Sequence, residues 1–232
     1  LHEAQTELWL TEFAPSIDGF SASVDGLWGR FDVSARVLGS FNVSNILAAM
    51  AAVLSLGVPV ERVQQAVERL SPPPGRLEPF AGSNDVRVVV DYAHTPDALN
   101  SALAALRPHV GGRLFCVFGC GGDRDTGKRP EMAREAEKGA DVVIVTDDNP
   151  RSEDPDAITA DIVAGFERPE QVAIIHDRAE AIRQAIHSAV AGDIVLIAGK
   201  GHEAWQEVAG QRFPFSDAEQ VRHALSLNGG VA

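Results

Sequence analysis

The chain has 232 residues, 45% of them hydrophobic, which is enough for one large globular domain or two smaller ones. A formal net charge of -13 argues against a nucleic-acid partner or an anionic membrane surface, because clusters of Lys and Arg bind phosphate groups. No apolar run approaches the roughly 18 residues of a transmembrane helix, and the N-terminal segment lacks the features of a signal peptide, so we expect a cytoplasmic protein.

The first part of the chain predicts strands followed by helices. Residues 8 to 38 show short alternating runs that are interrupted by Asp-Gly and Gly-Arg, which is typical of a meander of antiparallel strands. From residue 42 to residue 56, apolar side chains recur at helical spacing, with Asn42 as the expected N-cap and Gly57 as the stop. A second helix is predicted for residues 61 to 70.

A proline-rich stretch, SPPPGRLEPF, covers residues 71 to 80. Three successive prolines and a glycine exclude a helix and favour a stiff, extended connection. We therefore predict a domain boundary here, with one domain at residues 1–71 and another at residues 72–232. Because the chain has no initiator Met and leads directly into a strand-like segment, we expect it to be a fragment of a longer protein.

Beyond the boundary, runs of β-branched residues alternate with amphipathic segments. The predicted helices start at Pro96 and cover about 130–138, 156–166 and 179–190, between the strand-like runs VRVVVDYA, RLFCVFG, ADVVIVTD, QVAIIHD and DIVLIAG. Such alternation indicates βαβ units. The sequence therefore predicts an α/β fold, with a mostly parallel, doubly wound, Rossmann-like sheet that is covered by helices on both faces.

Polar and charged clusters follow four of the predicted strands, at residues 91–94, 119–125, 147–151 and 199–203. Each cluster alone is compatible with an ordinary helix start or turn. In a parallel sheet, however, the carboxyl ends of the strands meet at one edge, where ligands gather. A sheet needs turns there, but it does not need arginines, acids and histidines together, so the sequence predicts a binding site at this edge.

The loop GDRDTGKR matches the pattern G-x-x-x-x-G-K of a phosphate-binding loop. Arg129 stands where Ser or Thr would supply a magnesium ligand, and the two aspartates of the loop would repel a phosphate. A nucleotide loop is therefore the weaker interpretation. We predict instead that Arg124 points across the strand ends toward an anionic group.

The side chains at this edge have the chemistry of an amino-acid site. Arg124 and Arg151 could each offer a planar guanidinium to a carboxylate, and Asp148 and Glu203 could accept hydrogen bonds from ammonium groups. A site with both kinds of group fits an amino acid. Two arginines with two acids fit a diamino diacid better than a simple amino acid.

Six strings of the sequence resemble motifs of one enzyme family, the peptidoglycan ATP-dependent amino-acid ligases, or Mur ligases. They are FNVSN (41–45), PGRLE (74–78), VVVDYAHTPDAL (88–99), FGCGGDRDTGKRP (118–130), TDDNPR (146–151) and AGKGHE (198–203). They are collinear over almost the whole chain, and they are most similar to the branch of the family that adds meso-diaminopimelate. The resemblance implies that ATP phosphorylates the D-Glu γ-carboxylate of UDP-MurNAc-L-Ala-D-Glu, and that the amine of meso-diaminopimelate attacks the acyl phosphate.

The resemblance also implies roles for particular residues. The residues that it implies for binding meso-diaminopimelate are Arg124, Asp148, Asn149, Pro150, Arg151, Gly199 and Glu203. The residues that it implies for binding ATP are Asn42, Asn45, Arg76 and Asp91. No metal ligand is implied in this chain, because the ligands of Mg2+ are expected mostly upstream. The catalytic base stays unassigned, since His94, His202, Glu203 or water could take the proton of the amine.

The chain also departs from the family pattern. A uridine-nucleotide-binding domain, a Walker-type phosphate loop and a carbamylated lysine are expected in such ligases, and none appears in this sequence. Residues 1–71 therefore resemble the tail of the central ATP-binding domain, and residues 72–232 the C-terminal domain that binds the incoming amino acid. We expect no ligation by this chain alone. The alternatives left open are a lysine-adding or folylpolyglutamate-type ligase and a stand-alone amino-acid-binding domain.

Overall fold

The structure is a computed structural model, and it describes residues 7–16, 18–82 and 86–228. The chain divides into two compact units, Leu1–Pro72 and Pro73–Ala232. Each unit has its own cluster of buried hydrophobic side chains. In the ranges that the structure describes, no helix is both long and apolar enough to cross a membrane.

The first unit is a three-stranded antiparallel meander with two helices. Its elements are β1 (Leu8–Ser16), β2 (Gly19–Gly26), β3 (Phe31–Ala35), α1 (Ser40–Ser55) and α2 (Val60–Glu68). Alternate residues of the strands and one side of each helix form a common core, which contains Val24, Val33, Leu47 and Val63. The predicted meander and both predicted helices are confirmed.

Helix α1 begins earlier than the sequence predicts. Its N-cap is Gly39, whose φ of 91° turns the chain into the helix. Asn42 lies inside the first turn, where Nδ2 donates a hydrogen bond to the carbonyl oxygen of Leu38 (2.8 Å). The N-cap prediction for Asn42 is therefore wrong, because a glycine with positive φ supplies the turn that a polar cap was expected to supply. Gly57, with a φ of 83°, follows the helix end as predicted.

The second unit is built on a six-stranded sheet of order β4-β5-β9-β6-β7-β8. Its strands are β4 (Glu78–Ala81), β5 (Arg87–Asp91), β6 (Leu114–Phe118), β7 (Val142–Val145), β8 (Ala173–Ile174) and β9 (Ile194–Ala198). Its helices are α3 (Pro96–Leu106), α4 (Lys128–Gly139), α5 (Pro155–Val163), α6 (Arg178–Ser188) and α7 (Asp217–Asn228). A separate hairpin joins β10 (Trp205–Val208) to β11 (Gln211–Pro214). Strand β4 is antiparallel to β5, and the other neighbouring pairs of the sheet are parallel.

Helices cover both faces of this sheet. Helices α6 and α7 pack on the face that carries Val88, Val90, Phe115 and Val117. Helices α3, α4 and α5 pack side by side and contribute no residue to that cluster, while α3 contacts β9 and α4 contacts β7. Because every residue of β6 and β9 is buried, these strands read as continuous apolar runs. The predicted doubly wound α/β sheet is confirmed.

Three of the helices begin at N-caps that the sequence makes recognisable. Thr95, Asp154 and Asp177 each accept a hydrogen bond from a backbone N–H of the first turn. Pro96 and Pro155 follow the first two caps, at the position where a missing N–H costs nothing. These caps fix where each loop from the carboxyl edge of the sheet enters its helix.

Candidate functional site

The loops that follow β6 and β7 are locked together. The Gly122 N–H donates to the Asn149 carbonyl (2.9 Å), and a β-carbon on Gly122 would lie only 2.0 Å from the Pro150 carbonyl oxygen. The Asp123 carboxylate accepts from the hydroxyl (2.7 Å) and the backbone N–H (3.1 Å) of Ser152. These two hydrogen bonds, before all else, hold the pKa of Asp123 below its ordinary value. The strings GGDRD and TDDNPR therefore form one surface.

Both predicted arginines border this surface at Gly121. A β-carbon on Gly121 would lie 2.7 Å from Arg151 Nη1 and 3.8 Å from Arg124 Cγ. Arg151 Nη1 also donates to the Gly122 carbonyl (2.8 Å), and Arg124 Nη1 donates to the Asp123 carbonyl (3.0 Å). The half-buried Arg151 and the exposed Arg124 therefore lie on the same side of the two loops.

The hairpin β10–β11 holds the backbone of Arg151. The Arg151 N–H donates to the Glu207 carbonyl (2.9 Å), and the Ala209 N–H donates to the Arg151 carbonyl (2.6 Å). Arg151 has a φ of 54°, in the left-handed region that disfavours side chains other than glycine. The paired hydrogen bonds on either side of this residue stabilise that conformation, and the hydrogen bond from Nη1 to the Gly122 carbonyl holds the guanidinium.

A buried lysine joins the loop after β9 to the loop after β7. The side chain of Lys200 is 0% exposed, and Nζ donates to Asn149 Oδ1 (2.9 Å), Glu203 Oε2 (3.1 Å) and Asp148 Oδ1 (3.5 Å). Asn149 Nδ2 donates to the same Glu203 oxygen (2.9 Å), and the Glu207 N–H donates to Asn149 Oδ1 (2.9 Å). We refer to Asp148, Asn149, Lys200 and Glu203 as the lysine cluster.

Glycines on either side of Lys200 allow it to turn inward. Gly199 has a φ of 121° and Gly201 a φ of 54°, both in the region that favours glycine. Gly75 of the PGRLE string packs directly against this loop, since a β-carbon there would lie 2.2 Å from the His202 backbone nitrogen. The strings PGRLE and GKGHE are thus in contact at the carboxyl edge of the sheet.

Asp91 was predicted to bind ATP, but both of its carboxylate oxygens accept hydrogen bonds from backbone N–H groups. Its Oδ2 accepts from the Leu77 N–H (2.8 Å) and its Oδ1 from the Ala93 N–H (2.8 Å). Burial raises the pKa of Asp91 above its ordinary value, although these bonds and the nearby Arg76 act in the opposite direction. Leu77 has a φ of 41°, so Asp91 anchors a strained turn to the end of β5.

The other predicted ATP residues lie in different surroundings. The Arg76 guanidinium lies over the Tyr92 ring, 4.8 Å from its centroid, and this ring also contacts His94 and His202. Asn42 and the exposed Asn45 belong to helix α1 of the first unit. The predicted residues for meso-diaminopimelate all belong to the second unit, where the loops after β6, β7 and β9 bring them together.

Two buried cations near this edge were not singled out by the sequence. Lys200 is one, and Arg178 at the start of α6 is the other. Arg178 donates from Nε (2.7 Å) and Nη2 (2.9 Å) to Asp217, and from Nη2 to the Ala198 carbonyl (3.0 Å); both side chains of the ion pair are 0% exposed. Burial lowers the pKa of Arg178, but Asp217 raises it by more. The pattern of apolar residues carries no signal for either buried cation.

The described ranges, residues 7–16, 18–82 and 86–228, contain no group of three or more His, Cys, Asp or Glu side chains that could hold a metal ion. No magnesium ligand is therefore identified among these residues.

Comparisons with known proteins identify the family of the chain. The family model for the Mur ligase glutamate ligase domain matches residues 75–201. UDP-N-acetylmuramoyl-L-alanyl-D-glutamate--2,6-diaminopimelate ligase of Ectopseudomonas mendocina (strain ymp) is 49% identical over 226 residues, which are 97% of this chain and 46% of that protein. The enzyme of the same name from Xanthomonas campestris pv. campestris (strain 8004) is 56% identical over 200 residues, 86% of this chain and 40% of its own length.

A solved structure of UDP-N-acetylmuramoyl-L-alanyl-D-glutamate--2,6-diaminopimelate ligase superposes with a TM-score of 0.81 and 42% identity, over 99% of this chain and 47% of the other. Mycobacterium tuberculosis folylpolyglutamate synthase, with a TM-score of 0.64 and 22% identity, shares the fold. The chain spans about half the length of the curated relatives it matches. Because the family model covers more than half of the residues, and because the six motifs are collinear, the chain belongs to the Mur ligase family.

Proposed function

We propose that this chain is the amino-acid-binding part of an ATP-dependent ligase of peptidoglycan synthesis. The ligase would act in the cytoplasm and join meso-diaminopimelate to the D-Glu of UDP-MurNAc-L-Ala-D-Glu. The names of the relatives support this substrate. The observation that carries the proposal is the convergence of Arg151, Asn149 and Glu203, which the hydrogen-bonded loops after β6, β7 and β9 hold close together.

The groups at this edge complement both charges of an amino acid. Arg151 and Arg124 border Gly121 and offer guanidinium nitrogens to carboxylates. Glu203 uses Oε2 within the lysine cluster, so Oε1 is the oxygen that would face a substrate ammonium. Gly199 and Pro150 would shape the walls: at Gly199, a β-carbon would lie 3.7 Å from Asp148 Oδ2. The arrangement fits an amino acid that carries more than one carboxylate.

In this proposal, the chain contributes binding and orientation. ATP, when bound, supplies the phosphoryl group that activates the D-Glu carboxylate. The lysine cluster and the arginines hold the incoming amino acid, so that the amine approaches the activated carbon in one orientation, which lowers the entropic part of the barrier.

ATP fits the residues of this chain only in part. Arg76 is exposed and could contact a phosphate or a ribose, and the Tyr92 ring beneath it offers a flat surface. Both carboxylate oxygens of Asp91 accept backbone N–H groups, so Asp91 suits an anchoring role better than direct contact with ATP. Asn42 and Asn45, on helix α1 of the first unit, would also contact ATP. Mg2+ is assigned no ligand among the described residues.

Calorimetric titration of the chain with meso-diaminopimelate and with L-lysine tests the proposal. L-Lysine lacks the second carboxylate and would leave a guanidinium without its partner, so we expect it to bind at least about tenfold more weakly. Arg151→Ala should reduce this preference, whereas Arg183→Ala, an exposed residue of α6 that pairs with Glu180, should leave it unchanged.

The outcomes separate the proposal from its alternatives. Equal affinities for the two amino acids would overturn it, and tighter binding of L-lysine would favour a lysine-adding ligase. Tight binding of meso-diaminopimelate, without ligation by a full-length protein supplied with ATP, magnesium and the UDP-MurNAc-dipeptide, would favour a stand-alone binding domain.

A further inference from the structure

Lys200 has no donor left for a substrate. Its ammonium has three N–H donors, and the structure gives Nζ three partners: Asn149 Oδ1 (2.9 Å), Glu203 Oε2 (3.1 Å) and Asp148 Oδ1 (3.5 Å). The side chain is 0% exposed, so a ligand at the surface of the loops does not reach it. Lys200 therefore acts on a ligand without touching it, through the side chains that it holds and through its charge.

One of these side chains is an amide whose orientation matters. Asn149 Oδ1 accepts from Lys200 Nζ and from the Glu207 N–H, so the opposite end of the amide, Nδ2, points to Glu203. A rotated amide would place Nδ2 against two donors and lose all three hydrogen bonds. Lys200 thus fixes which end of Asn149 faces the carboxylate, and it leaves the second N–H of Nδ2 for another acceptor.

Lys200 also sets the charge of the cluster. Asp148 and Glu203 carry two negative charges and Lys200 carries one positive charge, so the lysine cluster has a net charge of 1 − 2 = −1. The carboxylates are largely buried, with 10% and 20% of their side chains exposed. One substrate ammonium would bring this charge to zero. Without Lys200, the two carboxylates would repel each other in a poorly solvated site.

A purely structural role is the competing explanation. Apolar side chains in place of the whole lysine cluster would fill the same space without the cost of burying charged groups. The presence of a charged group with three polar partners is therefore better explained by what it does to Asn149 and Glu203 than by packing.

We propose that Lys200 is a positioning residue of the amino-acid site. It orients Asn149 and Glu203 and leaves the lysine cluster one negative charge that a substrate ammonium neutralises. The proposal rests on the proposed function, because it assumes that an amino acid with an ammonium group binds here. It adds a residue that the sequence patterns did not single out.

A double-mutant cycle tests this role. Wild type, Lys200→Met, Glu203→Gln and the double variant are titrated with meso-diaminopimelate by calorimetry. We expect Lys200→Met alone to weaken binding by about tenfold or more, since it releases a buried carboxylate and an amide from their common partner. In the Glu203→Gln background, the same change should weaken binding by less than about threefold, because the group through which Lys200 acts is altered.

The control is another cation that pairs with a buried carboxylate. Arg113 binds Asp193 (2.9 Å) at the amino ends of β6 and β9, at the opposite edge of the sheet. Arg113→Met should lower the stability in urea without changing the affinity for meso-diaminopimelate. In a full-length ligase that contains this chain, Lys200→Met should raise the KM for meso-diaminopimelate and leave the KM for ATP unchanged.

Each outcome decides the proposal. Equal fold-changes for Lys200→Met in both backgrounds, or wild-type affinity in the single variant, would overturn the positioning role while the proposed function stands. Failure of the wild type to bind meso-diaminopimelate would overturn both. If Lys200→Met does not fold, Lys200→Gln, which keeps a neutral donor, takes its place. Failure of both variants to fold would show a purely structural role.

Discussion

Arg151 and Gly121 are in contact: Nη1 of the arginine lies 2.7 Å from the position that a β-carbon on the glycine would occupy. The same nitrogen donates to the carbonyl oxygen of Gly122. The glycine at position 121 therefore makes the room in which the guanidinium lies. The GGDRD and DNPR strings therefore fit together in shape, and the hydrogen bond from Arg151 to Gly122 also joins them.

Gly121→Ala should weaken binding of meso-diaminopimelate without unfolding the chain. The added methyl group displaces the end of a flexible side chain, so we expect the free energy of unfolding to fall by less than about 1 kcal/mol. The displaced guanidinium should lose its alignment, and the affinity should fall about tenfold. Gly111→Ala is the matched control, because its nearest neighbour would lie at an ordinary 3.7 Å. Wild-type affinity in Gly121→Ala would contradict this account of Arg151.

The fold was predictable where the pattern of buried residues was strong. Strands β5, β6, β7 and β9 are short apolar runs between capped helices, and the parallel sheet follows from that alternation. Strand β4, the hairpin β10–β11 and helix α7 were missed. The four residues EPFA of β4 contain a proline, and the hairpin is polar and largely exposed, so neither resembles a buried strand.

The candidate site was predictable to the level of its loops. Parallel strands present their carboxyl ends at one edge of the sheet. The loop of Arg124 was therefore expected to lie beside the loop of Arg151. The lysine cluster and the Arg178–Asp217 pair were not predictable, because a Lys or an Arg in the sequence usually signals a solvated surface. Only the tertiary structure brings the three partners of Lys200 around its ammonium group.

Arg178 and Asp217 should be essential to the stability of the second unit. Arg178→Met leaves a carboxylate that is 0% exposed without its partner, which should cost about 3–5 kcal/mol in the free energy of unfolding. Urea denaturation followed by circular dichroism measures this loss. The double variant Arg178→Met/Asp217→Leu removes both charges and should recover most of the stability. A double variant as unstable as Arg178→Met would contradict the assignment of the loss to an unpaired buried charge.

Asp193 should make the stability depend on acid pH. Burial raises the pKa of Asp193, but hydrogen bonds from the Arg113 and Val190 N–H groups and from the Arg113 guanidinium outweigh it and lower the pKa. Because the pKa is lower in the folded chain, the contribution is complete above the unfolded pKa and is lost as the pH falls through the folded value.

Asp193→Asn tests this dependence. We expect the variant to be less stable than the wild type by about 2 kcal/mol at pH 7, and the difference to shrink to below about 1 kcal/mol near pH 3. Urea denaturation at pH 7, 5 and 3 measures both proteins under the same conditions. A difference that stays constant across this range would show that packing, rather than the charge of Asp193, stabilises the amino edge of the sheet.

Asp91 should stabilise the PGRLE turn whether or not ATP is present. Asp91→Ala removes the acceptors of two backbone N–H groups, those of Leu77 and Ala93, and should lower the free energy of unfolding by about 2–3 kcal/mol without any nucleotide. Asp91→Asn keeps one acceptor oxygen and should lose less. Asp97→Ala, an exposed acidic residue in the first turn of α3, is the control and should cost less than about 1 kcal/mol. If Asp91→Ala is as stable as the wild type in urea, its carboxylate does not anchor the turn, and a direct role in binding ATP becomes the better explanation.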